Sequence, residues 1–142
     1  LLSTPRGAIS AFGTANQDGI KISVYGVAGK DGDVIIEFGQ ETKKVQRPPQ
    51  LYSKKDAYAV NLCTRRLGSL LPTRSILFVD PQDVVSVGDI AIYYTSEKDA
   101  KIVSIREDEN GKLYGLRWNP DERTDISNDD LSNLHKVVAI YL

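Results

Sequence analysis

The chain is poor in the residues that cross-link small proteins or bind metals. Its 142 residues include one cysteine, one histidine, one tryptophan and no methionine. A single cysteine excludes an intramolecular disulfide framework and fits a reducing cytoplasm. One histidine and one cysteine cannot supply the roughly four ligands of a structural zinc site. Because even an initiator methionine is missing, we expect the chain to be a fragment of a longer protein.

Long apolar runs and nucleotide-binding glycine loops are also missing. No apolar run approaches the about 18 residues that a membrane-spanning helix needs, so we expect no contact with a membrane. Neither the dinucleotide-binding glycine pattern nor the P-loop pattern occurs, and we therefore expect no cofactor. These absences favour a binding module over an enzyme.

Charge of one sign is not in excess, but it is unevenly distributed. Eighteen basic and nineteen acidic residues give a net charge of −1, which argues against a general nucleic-acid binder. Residues 43–74 nevertheless contain eight basic residues and one acidic residue. We interpret Lys54, Lys55, Arg65 and Arg66 as a possible surface for an acidic partner. The alternative is that these side chains point in several directions.

Short β-branched and aromatic runs separated by turn residues predict a mainly β domain with little helix. Its many short strands suggest a barrel or a sandwich rather than alternating strands and helices. The predicted strands are residues 20–24, 34–38, 57–62, 76–79, 90–94, 102–105, 113–118 and 137–142. Asn110-Gly111 predicts a tight hairpin, and residues 129–133 one helical turn. Residues 1–18 are expected to be a linker or loosely docked arm, and residues 19–142 the domain.

The last predicted strand is apolar on both faces. It consists of Val137, Val138, Ala139, Ile140, Tyr141 and Leu142, with no charge or proline after Lys136. Edge strands usually carry such residues to prevent pairing with other chains. The strand is therefore either central in the sheet or paired with another chain, which makes these six residues a candidate dimer interface.

The order of several short motifs resembles the C-terminal, peptidase-like domain of LexA-like phage repressors. Ala-Tyr-Ala-Val at 57–60, Ile-Leu-Phe-Val-Asp-Pro at 76–81 and Val-Gly-Asp at 87–89 carry the resemblance. The predicted hairpin, Asn119-Pro120 and the closing strand also match, and residues 25–29 resemble the cleavage-site region with Ala28-Gly29 as the scissile pair. The resemblance covers residues 20–142. It implies a LexA/signal-peptidase-like β-ribbon fold, homodimerisation, and an operator-binding helix-turn-helix domain that is missing from this fragment.

Both catalytic residues of that family are replaced here. The family cleaves itself with a serine nucleophile and a lysine general base. Aligned without gaps, the serine falls on Arg66 and the lysine on Val103. A guanidinium is no nucleophile and valine cannot accept a proton. The resemblance therefore implies a non-cleavable prophage repressor domain with no enzymatic activity, induced by a separate antirepressor protein.

Two other interpretations stay open. Ser69 begins a Ser-x-x-Pro sequence, and Lys101 shares a predicted strand face with Val103. If compensating shifts are allowed in the alignment, Ser69 and Lys101 form an active dyad that cuts Ala28-Gly29. The third possibility is a β-barrel adaptor that is unrelated to repressors.

Overall fold

The structure, a computed structural model, describes residues 21–67, 71 and 74–141. It is mainly β, with 46% of the described residues in strands and 10% in helical turns, and its sheet curls into a half-barrel. The strands in the described residues are β1 Lys21–Tyr25, β2 Val27–Ala28, β3 Val34–Ile35, β4 Lys43–Gln46, β5 Tyr58–Asn61, β6 Ile76–Asp80, β7 Ile90–Tyr94, β8 Asp99–Glu107, β9 Leu113–Arg117, β10 Glu122–Asp125 and β11 Leu134–Tyr141. Short 3-10 turns cover Lys30–Gly32, Pro49–Leu51 and Asn128–Asn133. The prediction of a mainly β fold with many short strands and little helix is confirmed.

Neighbouring strands follow the order β10-β9-β8-β7-β11-β6-β5-β1-β4, and β3 joins β2 to β8. All described pairs are antiparallel except β1 with β5. The β8–β9 hairpin forms around Asn110-Gly111 as predicted, with Gly111 at φ +79°. The predicted helical turn at residues 129–133 falls within the 3-10 turn Asn128–Asn133.

Apolar clusters cover both faces of the central strands. Along β5 and β6, alternate residues point to opposite faces. Val60 and Leu77 belong to one buried cluster, whereas Ala59 and Phe78 belong to another that Leu51 completes. Because both faces are buried, these strands read as continuous apolar runs rather than as alternating patterns.

The strand predictions were incomplete where the sequence is polar or turns early. The strand predicted at 34–38 ends at Ile35, because the Gln40 amide donates to the Glu37 carbonyl and Gly39 takes φ +101° in a turn. β4 and β10 were not predicted. Their sequences are Lys-Lys-Val-Gln and Glu-Arg-Thr-Asp, and both strands lie at the ends of the sheet order, where an apolar pattern is not needed.

The last strand lies between β7 and β6 in the sheet order, as one of the two alternatives expected, and its pairing with another chain stays a prediction. The register of β11 with β7 covers residues 134–136, and its register with β6 covers residues 136–141 with a bulge at Val138. Lys136 is therefore paired on both sides, whereas residues 134–135 pair with β7 alone in these registers. Past Lys136 it is paired with β6 alone in the described residues.

Some predictions fall on residues that the structure does not describe. The arm at residues 1–18, Ser69 and Leu142 lie outside the described residues. The domain boundary at residue 19 stays a prediction. Within the described ranges, no helix has the length and apolar character needed to cross a membrane.

Candidate functional site

The pair Ala28-Gly29 lies in a tight hairpin formed by β2, the turn Lys30–Gly32 and β3. The Gly29 amide donates to the Asp33 carbonyl at 2.8 Å, and Ala28 is exposed. Gly32 has φ +81°, and a Cβ atom at this position would lie 2.4 Å from Cγ of Arg66. A glycine is thus required both by the backbone conformation and by the close approach of Arg66. We call residues 27–35, which contain Ala28-Gly29, the 27–35 hairpin. It packs directly against Arg66, the residue that aligns with the serine in the resemblance described above.

Arg66 connects the 27–35 hairpin to the turn that follows β9. Its Nε donates to the Trp118 carbonyl at 2.6 Å, and its two terminal nitrogens donate to the carbonyls of Asp31 at 2.9 Å and Pro120 at 2.8 Å. The Trp118 amide donates back to the Arg66 carbonyl. Hydrogen bonds from a charged donor to carbonyls are stronger than neutral ones. All three guanidinium nitrogens of Arg66 are thus bonded to backbone carbonyls of this chain, whereas Arg65 is exposed.

Val103 occupies a fully apolar position. It is 0% exposed on β8 and belongs to a buried cluster with Ala91 and Ile105. Gly115 faces it so closely that a Cβ atom on this glycine would lie 2.9 Å from Cβ of Val103. No side chain that could accept a proton stands at this position.

Lys101 lies on the same face of β8 as Val103, and its ammonium contacts two carboxylates. Its Nζ lies 3.2 Å from Oε1 of Glu122 and 3.8 Å from Oδ1 of Asp33. A general base must present its nitrogen to the nucleophile, whereas this nitrogen is turned to acidic partners. The structure gives no geometry for the alternative dyad, because Ser69 lies outside the described residues.

Arg117 completes a four-charge cluster of Asp33, Lys101, Arg117 and Glu122. It is 0% exposed, and its guanidinium donates to Oδ1 of Asp33 at 2.8 Å and to Oε1 of Glu122 at 2.7 and 3.0 Å. Burial raises the pKa of Glu122, but hydrogen bonds from Arg117 and Lys101 outweigh it and lower the pKa below its usual value. The cluster ties the 27–35 hairpin to β8, β9 and β10.

Sequence reasoning missed Arg117 and Asp33. The only local signal was for Arg117, a charged residue at an inward position of a predicted strand. It lies on the same buried face of β9 as Gly115. Asp33 lies 84 residues from Arg117 in the chain, and no spacing rule relates them. The resemblance assigned no role to either residue.

The single histidine lies in a second polar group, away from the four-charge cluster. Nδ1 of His135 lies 2.6 Å from the Tyr58 hydroxyl, which in turn lies 2.8 Å from the Tyr94 hydroxyl. Burial lowers the pKa of His135 and, together with Tyr94, raises that of Tyr58. Both groups are therefore neutral near pH 7, and the hydrogen-bonded chain carries no charge.

The residues predicted to contact partners have different exposures. Lys54 and Lys55 are exposed. In the last strand Val137 is 8% exposed and belongs to the core, whereas Ile140 is 37% and Tyr141 48% exposed. Val138 and Ala139 are partly buried against the cluster that contains Phe78.

Comparison of the chain with protein-family models and with curated protein sequences gives no match.

Proposed function

We propose that the chain is the dimerisation and regulatory domain of a non-cleavable, LexA-like prophage repressor that acts in the cytoplasm. A helix-turn-helix domain outside this sequence would bind the operator. Joining two such domains raises their effective concentration at a palindromic operator, which is the physical benefit of dimerisation. The proposal assigns no enzymatic activity to the domain.

One observation carries this proposal: Arg66 is bound to the 27–35 hairpin where the family has its nucleophile. Its guanidinium donates to the Asp31 carbonyl, two residues beyond Gly29. Val103, at the position of the family's base, is buried among apolar side chains. Arg66 supplies no attacking oxygen and Val103 no proton acceptor, so these two positions cannot form the family's dyad. The arrangement supports a peptidase-like domain that holds its own hairpin without cutting it.

The last strand offers a surface for self-association. Past Lys136, β11 is paired on one side only in the described residues, and Ile140 and Tyr141 are exposed there. Two copies could pair these strands antiparallel about a two-fold axis, with main-chain hydrogen bonds and apolar side chains on both partners. This geometry supports the terminal strand as the homodimer interface.

Induction requires another route if the domain does not cleave itself. We propose that an antirepressor protein binds the domain or the DNA-binding domain attached to it. Lys54, Lys55 and Arg65 are exposed and therefore accessible to such a protein.

The dimer is tested with Ile140→Lys. A lysine at this edge should repel its symmetry mate and give monomers by light scattering coupled to size-exclusion chromatography. Leu131→Lys is the matched control, since Leu131 is 44% exposed but lies on the 3-10 turn. A folded Ile140→Lys variant with an unchanged dimer mass would contradict the interface. A monomeric wild-type chain would favour the adaptor interpretation.

The alternative function is an active Ser69/Lys101 autoprotease that cuts Ala28-Gly29. The one observation in its favour is that Lys101 lies close to the 27–35 hairpin, although its ammonium is paired with Asp33 and Glu122 as described above. Intact mass after long incubation at alkaline pH decides between the two. We expect an uncut chain. A break between Ala28 and Gly29 that Ser69→Ala abolishes would establish the autoprotease instead.

A further inference from the structure

The basic residues of segment 43–74 have no acidic partners among the described residues. The cations of the described ion pairs are Lys98, Lys101, Arg117 and Lys136, and none of them belongs to this segment. Arg47 and Arg66 donate to backbone carbonyls. Lys43, Lys44, Lys54, Lys55, Arg65 and Arg74 are exposed. Positive charge is therefore available to an external partner on a chain whose net charge is −1.

Two of these cations flank a groove of about 450 Å³, which we call the Lys43–Arg74 groove. It is lined by Lys43, Asn61, Leu62, Cys63 and Arg74. Lys43 begins β4, Asn61 ends β5, and Arg74 precedes β6. The groove is thus formed where three strand ends meet.

Hydrogen bonds hold the walls of the groove in place. The Arg74 amide donates to the Leu62 carbonyl at 3.1 Å, which fixes the backbone of Arg74 against the loop after β5. On the other side, the Asn61 side-chain amide donates to Oγ1 of Thr42 at 3.1 Å, beside Lys43. The two cations therefore project from anchored backbone, which lowers the ordering cost of binding an anion between them.

We infer that the Lys43–Arg74 groove binds a carboxylate side chain from an acidic, extended segment of a partner protein. An ammonium and a guanidinium together match a carboxylate, and the guanidinium can bind it with two hydrogen bonds. The half-buried Cys63 offers apolar surface to the CH₂ groups of an aspartate or glutamate. The inference rests on the proposed function in one respect: the protein that carries the acidic segment would be the proposed inducing protein.

The neighbouring strand favours a protein partner over a nucleic acid. β4 is at the end of the sheet order and is paired with β1 alone in the described residues. An extended peptide can pair with such an edge, while Lys43 and Lys44 on β4 repel basic strands and attract acidic ones. Proteins that bind single-stranded nucleic acids stack bases on aromatic side chains, and none of the described residues that line this groove is aromatic.

The test measures binding of the labelled peptide acetyl-Glu-Val-Glu-Val-Glu-amide to the whole chain by fluorescence anisotropy. We expect saturable binding that weakens with added salt, and a loss of affinity of about tenfold in the Lys43→Glu/Arg74→Glu double variant. Lys112→Glu is the matched control. It reverses one lysine charge, as Lys43→Glu alone does, at an exposed position near the β8–β9 turn, and should leave the affinity unchanged. Circular dichroism and light scattering verify that each variant keeps its fold and oligomeric state.

Every other outcome contradicts the inference. Failure of the peptide to bind, equal binding of the peptide with lysine in place of glutamate, or an unchanged affinity in a folded double variant would each overturn it. Tighter binding of a single-stranded oligonucleotide at the same residues would replace the acidic protein with a nucleic acid. None of these results bears on dimerisation through β11, so failure here is distinguishable from failure of the proposed function.

Discussion

Replacing Arg117 with methionine tests whether the four-charge cluster holds the 27–35 hairpin on the sheet. The arginine is fully buried and makes three hydrogen bonds to the carboxylates of Asp33 and Glu122. Methionine is flexible enough to fill much of the vacated space but donates no hydrogen bond. The two carboxylates would then have Lys101 as their remaining partner within the cluster.

The expected loss follows from the burial of each partner. Removing one member of a buried ion pair costs about 3–5 kcal/mol, because the other member stays buried and uncompensated. Here the side chains of Asp33 and Glu122 are 22% and 37% exposed, so they can recover water contacts. We therefore expect Arg117→Met to lower the free energy of unfolding by about 2–3 kcal/mol. Lys101→Met removes longer contacts to the same carboxylates and should cost about 1 kcal/mol.

Urea denaturation at pH 7 measures both variants. With a slope of about 2 kcal/mol per molar urea, Arg117→Met should lower the midpoint by about 1 M and Lys101→Met by about half of that. Limited proteolysis should cut Arg117→Met preferentially within the 27–35 hairpin. The reasoning is refuted if the two variants lose equal stability, or if Arg117→Met unfolds at the wild-type midpoint.

Two further predictions concern strain and pH. Gly32→Ala should lower the free energy of unfolding by about 2–3 kcal/mol, because the new Cβ atom would meet the Arg66 side chain. Gly39→Ala is the control: Gly39 also has a positive φ but faces open space, and its replacement should cost about 1 kcal/mol. Equal shifts of the two variants in thermal unfolding would contradict the close contact at Gly32. Burial lowers the pKa of His135 in the folded chain below its usual value of 6.5. As the pH falls, the unfolded chain therefore takes up the His135 proton before the folded chain does. The stability contribution of His135 should be complete above about pH 6.5 and should decrease as the pH drops towards the folded pKa. In urea titrations across that pH range, the His135→Gln variant should lose less stability than the wild type as the pH falls. An unchanged dependence of stability on pH would show that other groups cause the loss.

The prediction of the candidate site from sequence was partial. The positions of Arg66 and Val103 followed from the order of motifs. The hydrogen bond from the Arg66 side chain to the Trp118 carbonyl could not be predicted, because 52 residues separate the two residues and every residue has a backbone carbonyl, so no residue type indicates which carbonyl accepts. Lys101 was correctly placed on the face of Val103, but its two carboxylate partners come from β10 and the 27–35 hairpin.

The sequence by itself determined the fold class and the hairpin at Asn110-Gly111. These depend on the two-residue period of strands and on the backbone freedom of turn residues, both of which are local. Only the tertiary structure decided which strands became neighbours: β11 lies between β6 and β7, and Asp33 reaches Arg117 across 84 residues. The physical reason is that a strand's pattern specifies which side chains are buried but not which strand buries them. That choice depends on packing and hydrogen bonding summed over the whole sheet.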